Sequence, residues 1–223
     1  MLYLKEFIGH GAVRDCYLHP DDPGKCVKVI RDPKDLHILE REIMLTQLLS
    51  PLFRELCATC EPDVVETDHG MGMVSNLIVD ADGSTSPSLH NFLHAGGNAR
   101  ELQPTLNAIT RTMIENDLFF YDFNGNNFVI QTLADGSRRA VFIDLKSLHR
   151  NGYWGYLKLE RWIAPLGRNI MYRRIRRLYS WLGLEFPFDD LCRKMYFKGF
   201  FVRFRPNLRR WKKGRQTWPR GRA

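Results

Sequence analysis

At 223 residues, 44% hydrophobic and 26% charged, the chain has the length and apolar content for one sizeable core and is neither a fibrous nor a disordered sequence. Charge interrupts the apolar runs every few residues, so none approaches the roughly eighteen uncharged residues that cross a bilayer, and the opening MLYLKEF has no apolar signal core; a cytoplasmic address is expected. The formal net charge of +8 conceals a division: residues 1 to 149 carry 13 Lys or Arg against 21 Asp or Glu, and residues 150 to 223 carry 20 against 4.

Taken in chain order, LYLKEFIG, VRDCYLHP and CVKVI alternate as strands do, separated by a GHGA turn and a DDPGK turn. From about Pro33 to Leu49 the apolar residues Leu36, Leu39, Ile43, Leu45 and Leu48 fall near helical spacing, so a helix is predicted there, ended by Ser50 and Pro51. VVET and MGMVSNLIVD read as two further strands closed by the ADGS turn. The texture then becomes helical: SLHNFLHA is a short helix and LQPTLNAITRTMIENDL a longer amphipathic one. FFYDF, a GNN turn, FVIQTL, a DGSRR turn and AVFIDL read as a β-hairpin flanked by loops. Beyond Leu148 a helix is expected from about Tyr156 to Trp181.

Strands, one helix, strands, then helices with an inserted hairpin make an α+β plan in two lobes. The expected division is a domain over residues 1–150, with its first lobe over about 1–80 and its second from about 84. A basic helical extension over 151–203 packs on the second lobe, and a basic flexible tail covers 204–223. The five cysteines, Cys16, Cys26, Cys57, Cys60 and Cys192, are odd in number and irregular in spacing, which excludes a secreted disulfide framework. Cys57 and Cys60 form a CxxC near His69, but no second ligand pair stands at zinc-finger spacing; two packed thiols are expected.

Phosphoryl transfer from ATP requires backbone donors over the phosphates, a cation on them, acidic and amide ligands for Mg²⁺, and a carboxylate near the incoming hydroxyl. Each has a candidate. Gly9 and Gly11 lie between two strands, where missing side chains let the backbone approach phosphate. Lys28 sits inside the apolar strand CVKVI, where a charge is costly without a partner or ligand. Glu42 is its natural ion-pair partner, and Glu40 is the alternative on the same helix. Asp122 and Asn127 stand five apart with an apolar strand directly after the asparagine, and Asp144 closes a second apolar strand seventeen residues on. That is the order and spacing of the catalytic aspartate, the metal-binding asparagine and the metal-binding aspartate of kinases.

On the segments GHGAVRDCY, VETDHGMGMVSNLIVDADG, FYDFNGNNFVI and FIDLKS, roughly residues 1 to 150 resemble the protein-kinase-like superfold, and within it the bacterial family described as PhoP regulatory network protein YrbL. The resemblance implies a small antiparallel-sheet lobe on a mostly helical one, and an adenine-holding hinge around Asp80 to Gly83. It also implies Asp122 as catalytic base, with Asn127 and Asp144 as Mg²⁺ ligands. The chain departs from regulated protein kinases: Phe120 and Tyr121 replace the His and Arg before the aspartate, Asn124 stands two past it, and Lys146 replaces the glycine of DFG. These departures fit a simpler phosphotransferase acting on a sugar, glycolipid or protein hydroxyl, and leave a nucleotide-binding pseudokinase or regulatory module as the alternative.

The basic third interleaves arginine with aromatics in RRIRRLYSWLGL and RRWKKGRQTWPRGR. Ile175, Leu178, Trp181 and Leu182 either pack on the kinase-like lobe or face an anionic membrane surface or phosphorylated glycolipid, which would place the chain at the inner face of the membrane. No base-reading motif is present, so specific nucleic-acid binding is not expected.

Overall fold

The alternation of the first thirty residues becomes three antiparallel strands, β1 (Phe7–His10), β2 (Arg14–Leu18) and β3 (Lys25–Ile30). The computed structural model describes residues 1–116, 118, 120, 122–145 and 164–196, with side chains from residue 167 in the last segment. Strands β4 (Cys60–Thr67) and β5 (Gly70–Asn76) complete a five-stranded antiparallel sheet in the order β1-β2-β3-β5-β4. Strand periodicity sorts β3 onto two faces. Val27 and Val29 pack with Leu4 and Val74 on one side, whereas Ile30 packs with Leu39, Ile43, Cys60 and Met73 under helix α1 (Leu36–Phe53) on the other. Lys28 alternates with the two valines and pairs in register with Met73, so it belongs to the α1 face.

Helix α1 runs two residues past the predicted stop, through Pro51 to Phe53. Proline has no N–H for the carbonyl four residues back, which removes one helical bond. Phe53 is 1% exposed and meets Phe120 edge-on at 6.1 Å between ring centres, and burying an aromatic of that size, about 1.5–3 kcal/mol, offsets the loss. The helix ends at Arg54, whose φ of 52° is left-handed.

The second lobe contains α2 (Leu89–His94), α3 (Gln103–Glu115), the hairpin β6 (Phe128–Thr132) and β7 (Arg138–Phe142), α4 (Ala164–Trp181) and α5 (Asp189–Tyr196). One core joins them: Leu106, Ile109 and Met113 of α3, Phe128 and Phe142 of the hairpin, and Ile175 and Tyr179 of α4 are buried together. Of the apolar residues expected to face either core or membrane, Ile175, Leu178 and Leu182 are buried and Trp181 is 50% exposed. Phe142 stands 5.2 Å from Phe120, 5.7 Å from Phe123 and 5.2 Å from Phe128. Phe120 and Phe123 therefore anchor both sides of Asp122, which itself is exposed.

Tyr121, Lys146, the start of the expected Tyr156–Trp181 helix, and the tail 204–223 lie outside the described residues. Among the described residues no helix is long and apolar enough to cross a membrane.

Candidate active site

The face of β3 that carries Lys28 looks toward α1, and Glu42 sits on the buried side of α1 at 2% exposure. Lys28 Nζ donates to Glu42 Oε1 at 3.2 Å, so Glu42 rather than Glu40 is the partner. The same Nζ donates to the backbone carbonyl of Ile143 at 3.4 Å, reaching across 115 residues to the position before Asp144. Burial works against the lysine's charge. The Glu42 carboxylate, with smaller help from Cys26 and Asp144, outweighs it and lifts the pKa above the ordinary lysine value.

Sequence reasoning missed Arg14. It occupies the third position of the G-x-G-x-x-G pattern, where kinases carry glycine, and is 8% exposed. Its Nη1 donates to Glu42 Oε2 and lies 3.9 Å from Met73 Sδ. Glu42 thus carries one cation on each carboxylate oxygen. The detectable signal was an arginine opening a strand at a position that faces the apolar Ile30 across the sheet.

Gly9 and Gly11 occupy the β1–β2 end of the sheet. Gly11 N–H donates to Arg14 O at 2.7 Å, closing the turn. At Gly9 an added Cβ would meet nothing within 4 Å and the backbone is not left-handed, so nothing inside the fold demands glycine there.

The hairpin brings the acidic and amide groups together. Phe128 pairs with Phe142, which puts Asn127, just before β6, beside Ile143 and Asp144, just after β7. Ile143 N–H donates to Asn127 O at 2.9 Å. Asn127 Nδ2 donates to the Asp122 carbonyl at 2.5 Å, and Asn124 Nδ2 donates to the Asp122 carboxylate. Asn127 and Asp144 are 8% and 7% exposed. Glu42, Lys28, the Ile143 backbone next to Asp144, Asn127 and Asp122 are therefore joined by consecutive hydrogen bonds.

Asp80 and Gly83 lie in the crossing from β5 to α2. Asp80 Oδ1 accepts from Ser86 Oγ at 2.6 Å and from Thr132 N–H at 2.9 Å. Gly83 has φ 85° and donates its N–H to Asp80 O at 2.9 Å, a left-handed turn position that favours glycine. Together they close a turn in that crossing and clasp it to β6, with the Asp80 carboxylate committed to that clasp.

Cys57 and Cys60 are buried, and His69 stacks on Tyr17 at 4.8 Å. Burial raises Cys57 to about 12 and Cys60 to about 11, and raises Cys192 to about 11. Cys16 and Cys26 share the Lys28 face, since Cys16 pairs with Lys28 and Cys26 is two residues before it. The Cys16 S–H hydrogen bond, then the charges of Lys28 and Arg14, hold Cys26 below the ordinary thiol value. As the donor in that bond, with burial acting in the same direction, Cys16 is raised. Following thiolate absorbance against pH, one thiol is expected to titrate below about pH 8.5, the ordinary cysteine value, and Cys26→Ser to remove that step. A low step that survives the substitution would refute the assignment.

The antiparallel sheet and the mostly helical second lobe define a kinase-like fold. Two double mutants of the Mycobacterium tuberculosis PknI kinase domain are similar in fold, with TM-scores of 0.52 and 0.51 at 17% identity, covering 79% of this chain and 73% and 74% of theirs. The family model for PhoP regulatory network protein YrbL matches residues 1–182, and the chain belongs to that family. It is 26% identical over 144 residues to the uncharacterized protein YrbL of Escherichia coli (strain K12) and to that of Shigella flexneri, covering 61% of this chain and 68% of each relative.

Proposed function

We propose that this chain is an ATP-dependent phosphotransferase that moves the γ-phosphate to a hydroxyl acceptor with Mg²⁺ assistance. The observation that carries the reading is the Lys28 ammonium, held between Glu42 at 3.2 Å and the Ile143 carbonyl at 3.4 Å, immediately beside Asp144 and the Asn127 loop. A fixed cation next to a carboxylate and an amide is what nucleotide phosphates and their metal require.

The residues fit the groups. Mg²⁺ keeps several of its oxygen ligands as water and phosphate and takes one or two from protein; Asp144 and the Asn127 side-chain oxygen supply that number. The open space at Gly9 suits phosphate lying under the β1–β2 turn. When bound, Mg·ATP supplies the transferable phosphoryl group and its leaving group. Lys28 neutralises phosphate charge, Glu42 and the Ile143 carbonyl aim Lys28, and the exposed Asp122 carboxylate accepts the proton of the incoming hydroxyl. Asn124 and Asn127 hold the Asp122 turn in place.

A second reading, a nucleotide-binding regulatory module without turnover, is favoured by Arg14, which shares Glu42 with Lys28 and so divides the carboxylate that orients the lysine. Thermal shift with and without Mg²⁺ tests nucleotide binding for both. Mg·ATP at about a hundred times Kd stabilises the fold by about 2.7 kcal/mol, a rise in Tm on the order of 5–10 °C for a chain of this size. No rise at millimolar nucleotide would refute ATP binding altogether. A rise without phosphate release, across sugar and lipopolysaccharide-core acceptors, would support the regulatory reading.

A further inference from the structure

The outward face of α4 carries Ile170, Arg173, Arg174, Arg177 and Trp181, which stack along one side at helical spacing, while Met171, Ile175 and Tyr179 turn into the core. That face stands over the loop 123–126 that follows Asp122, and a groove of about 560 Å³ separates them. Such a volume lies in the range of small-ligand sites, about 300–1,000 Å³. Trp181 and His90 wall one end, with ring centres 5.0 Å apart. Both close over Gly125, where a Cβ would come within 3.1 Å of the Trp181 ring and 3.2 Å of His90 Nε2. Glycine at 125 thus keeps the loop tight beneath the rings.

The charge of this groove is one-sided. Among the described residues no carboxylate lines it, and neither Arg173 nor Arg177 makes an ion pair. Their neighbour Arg176 points elsewhere, bound to Asp189 at 2.6 Å and stacked over Phe186 at 5.0 Å. Asp122 adjoins the groove: its carboxylate accepts from Asn124, itself part of the groove wall. An arginine cluster beside an exposed catalytic-loop carboxylate separates two jobs: it binds an anionic handle and leaves a neighbouring hydroxyl beside the acid.

We propose that this groove binds the acceptor, and that the acceptor is a phosphorylated sugar, free or lipid-borne. Its phosphate lies against Arg173 and Arg177, whose guanidinium forks match phosphate oxygens, and the apolar side of its ring lies on Trp181. In the transfer step, which rests on the phosphotransferase reading, a sugar hydroxyl loses its proton to Asp122. Its oxygen forms a bond to the γ-phosphorus of ATP as the bond from that phosphorus to the β–γ bridging oxygen breaks, and ADP leaves.

Calorimetric titration of the full chain with glucose 6-phosphate and with glucose, in saturating Mg·ADP, tests the groove without requiring turnover. Glucose 6-phosphate should bind at least about tenfold tighter than glucose, and Arg173→Gln/Arg177→Gln should remove about that factor. Both arginines are exposed, so the variant should keep its melting temperature and its Mg·ATP thermal shift, and the double Lys variant should retain most of the binding. Equal affinity for the two sugars overturns the proposal. So does weakening by Lys28→Met with no effect of the arginine pair, because the phosphate would then occupy the nucleotide site. Binding to phosphatidylcholine–phosphatidylglycerol vesicles that needs the arginines, without glucose 6-phosphate binding, would make the face a membrane patch and likewise overturn it. If wild type shows no Mg·ATP thermal shift but keeps arginine-dependent glucose 6-phosphate binding, the phosphotransferase reading fails and the phosphosugar site stands.

Discussion

Glu42→Leu is expected to lower the melting temperature by roughly 10 °C while leaving the chain folded at room temperature. Glu42 is 2% exposed and holds two cations, Lys28 on one oxygen and Arg14 on the other, whose side chains are 17% and 9% exposed. Removing the shared acid strands both charges in a low-dielectric site, and breaking a buried ion pair in that way costs about 3–5 kcal/mol. At roughly 2–4 °C per kcal/mol for a chain of this size, the shift is large enough to read in a single thermal melt. Replacing Arg14 by Met in the Glu42→Leu background should recover part of it, since an apolar side chain tolerates the site that a lone guanidinium does not. On the alkaline side the sign is fixed by Lys28. Its pKa is raised in the fold, so the pairing contributes its full stability below about pH 10.4, the ordinary lysine value, and loses it as pH rises through the folded value. The deficit of the variant should therefore hold across neutral pH and shrink only in strong alkali. A melting temperature unchanged by Glu42→Leu would mean that the two cations are solvated, contrary to the packing described.

Asp122→Asn and Asp144→Asn should separate chemistry from binding. With ATP turnover as the readout, Asp122→Asn is expected to reduce kcat by about 10²–10⁴, the range of general-base catalysis, with the Mg·ATP thermal shift retained. Asp122 is exposed at the tip of a turn anchored by Phe120 and Phe123, so its removal leaves the fold intact. Asp144→Asn should instead make the nucleotide shift the same with and without Mg²⁺, because the remaining protein ligand is an amide. Equal turnover by wild type and Asp122→Asn would exclude Asp122 as the base. An undiminished Mg²⁺ effect in Asp144→Asn would exclude that residue as a metal ligand.

Much of this arrangement was legible in the sequence because it rests on local periodicity. Alternation in CVKVI marked Lys28 as a charge inside an apolar strand, but the choice of Glu42 over Glu40 as its partner stayed open until the packing of α1 on β3 put Glu42 on the buried side. The hairpin was legible from local periodicity: two apolar runs around DGSRR align Asn127 with Asp144. Arg14 was not, since the burial of an arginine depends on Met73 and Glu42, 59 and 28 residues away. Pro51 inside α1 was misjudged because the burial of Phe53 outweighs a local rule. The arginines of α4 were visible as a basic run, but their place above Gly125 depends on how Ile175 and Tyr179 seat the helix. No local spacing encodes that.

The bond from Lys28 to the Ile143 carbonyl has a mechanical consequence. Its length, 3.4 Å, is near the outer limit of a hydrogen bond, whereas the Ile143 N–H to Asn127 O bond on the far side is 2.9 Å. Under strain the longer bond yields first. The lobes stay joined elsewhere, by the Ala58 N–H bond to Phe142 O at 2.9 Å and by Phe53 of α1 against Phe120, so its loss frees the ammonium from the carbonyl without parting them. Lys28 is thus tethered to the Glu42 side at 3.2 Å and more loosely to the Ile143 side at 3.4 Å, and its ammonium can leave the carbonyl while Ile143 and Asn127 stay paired.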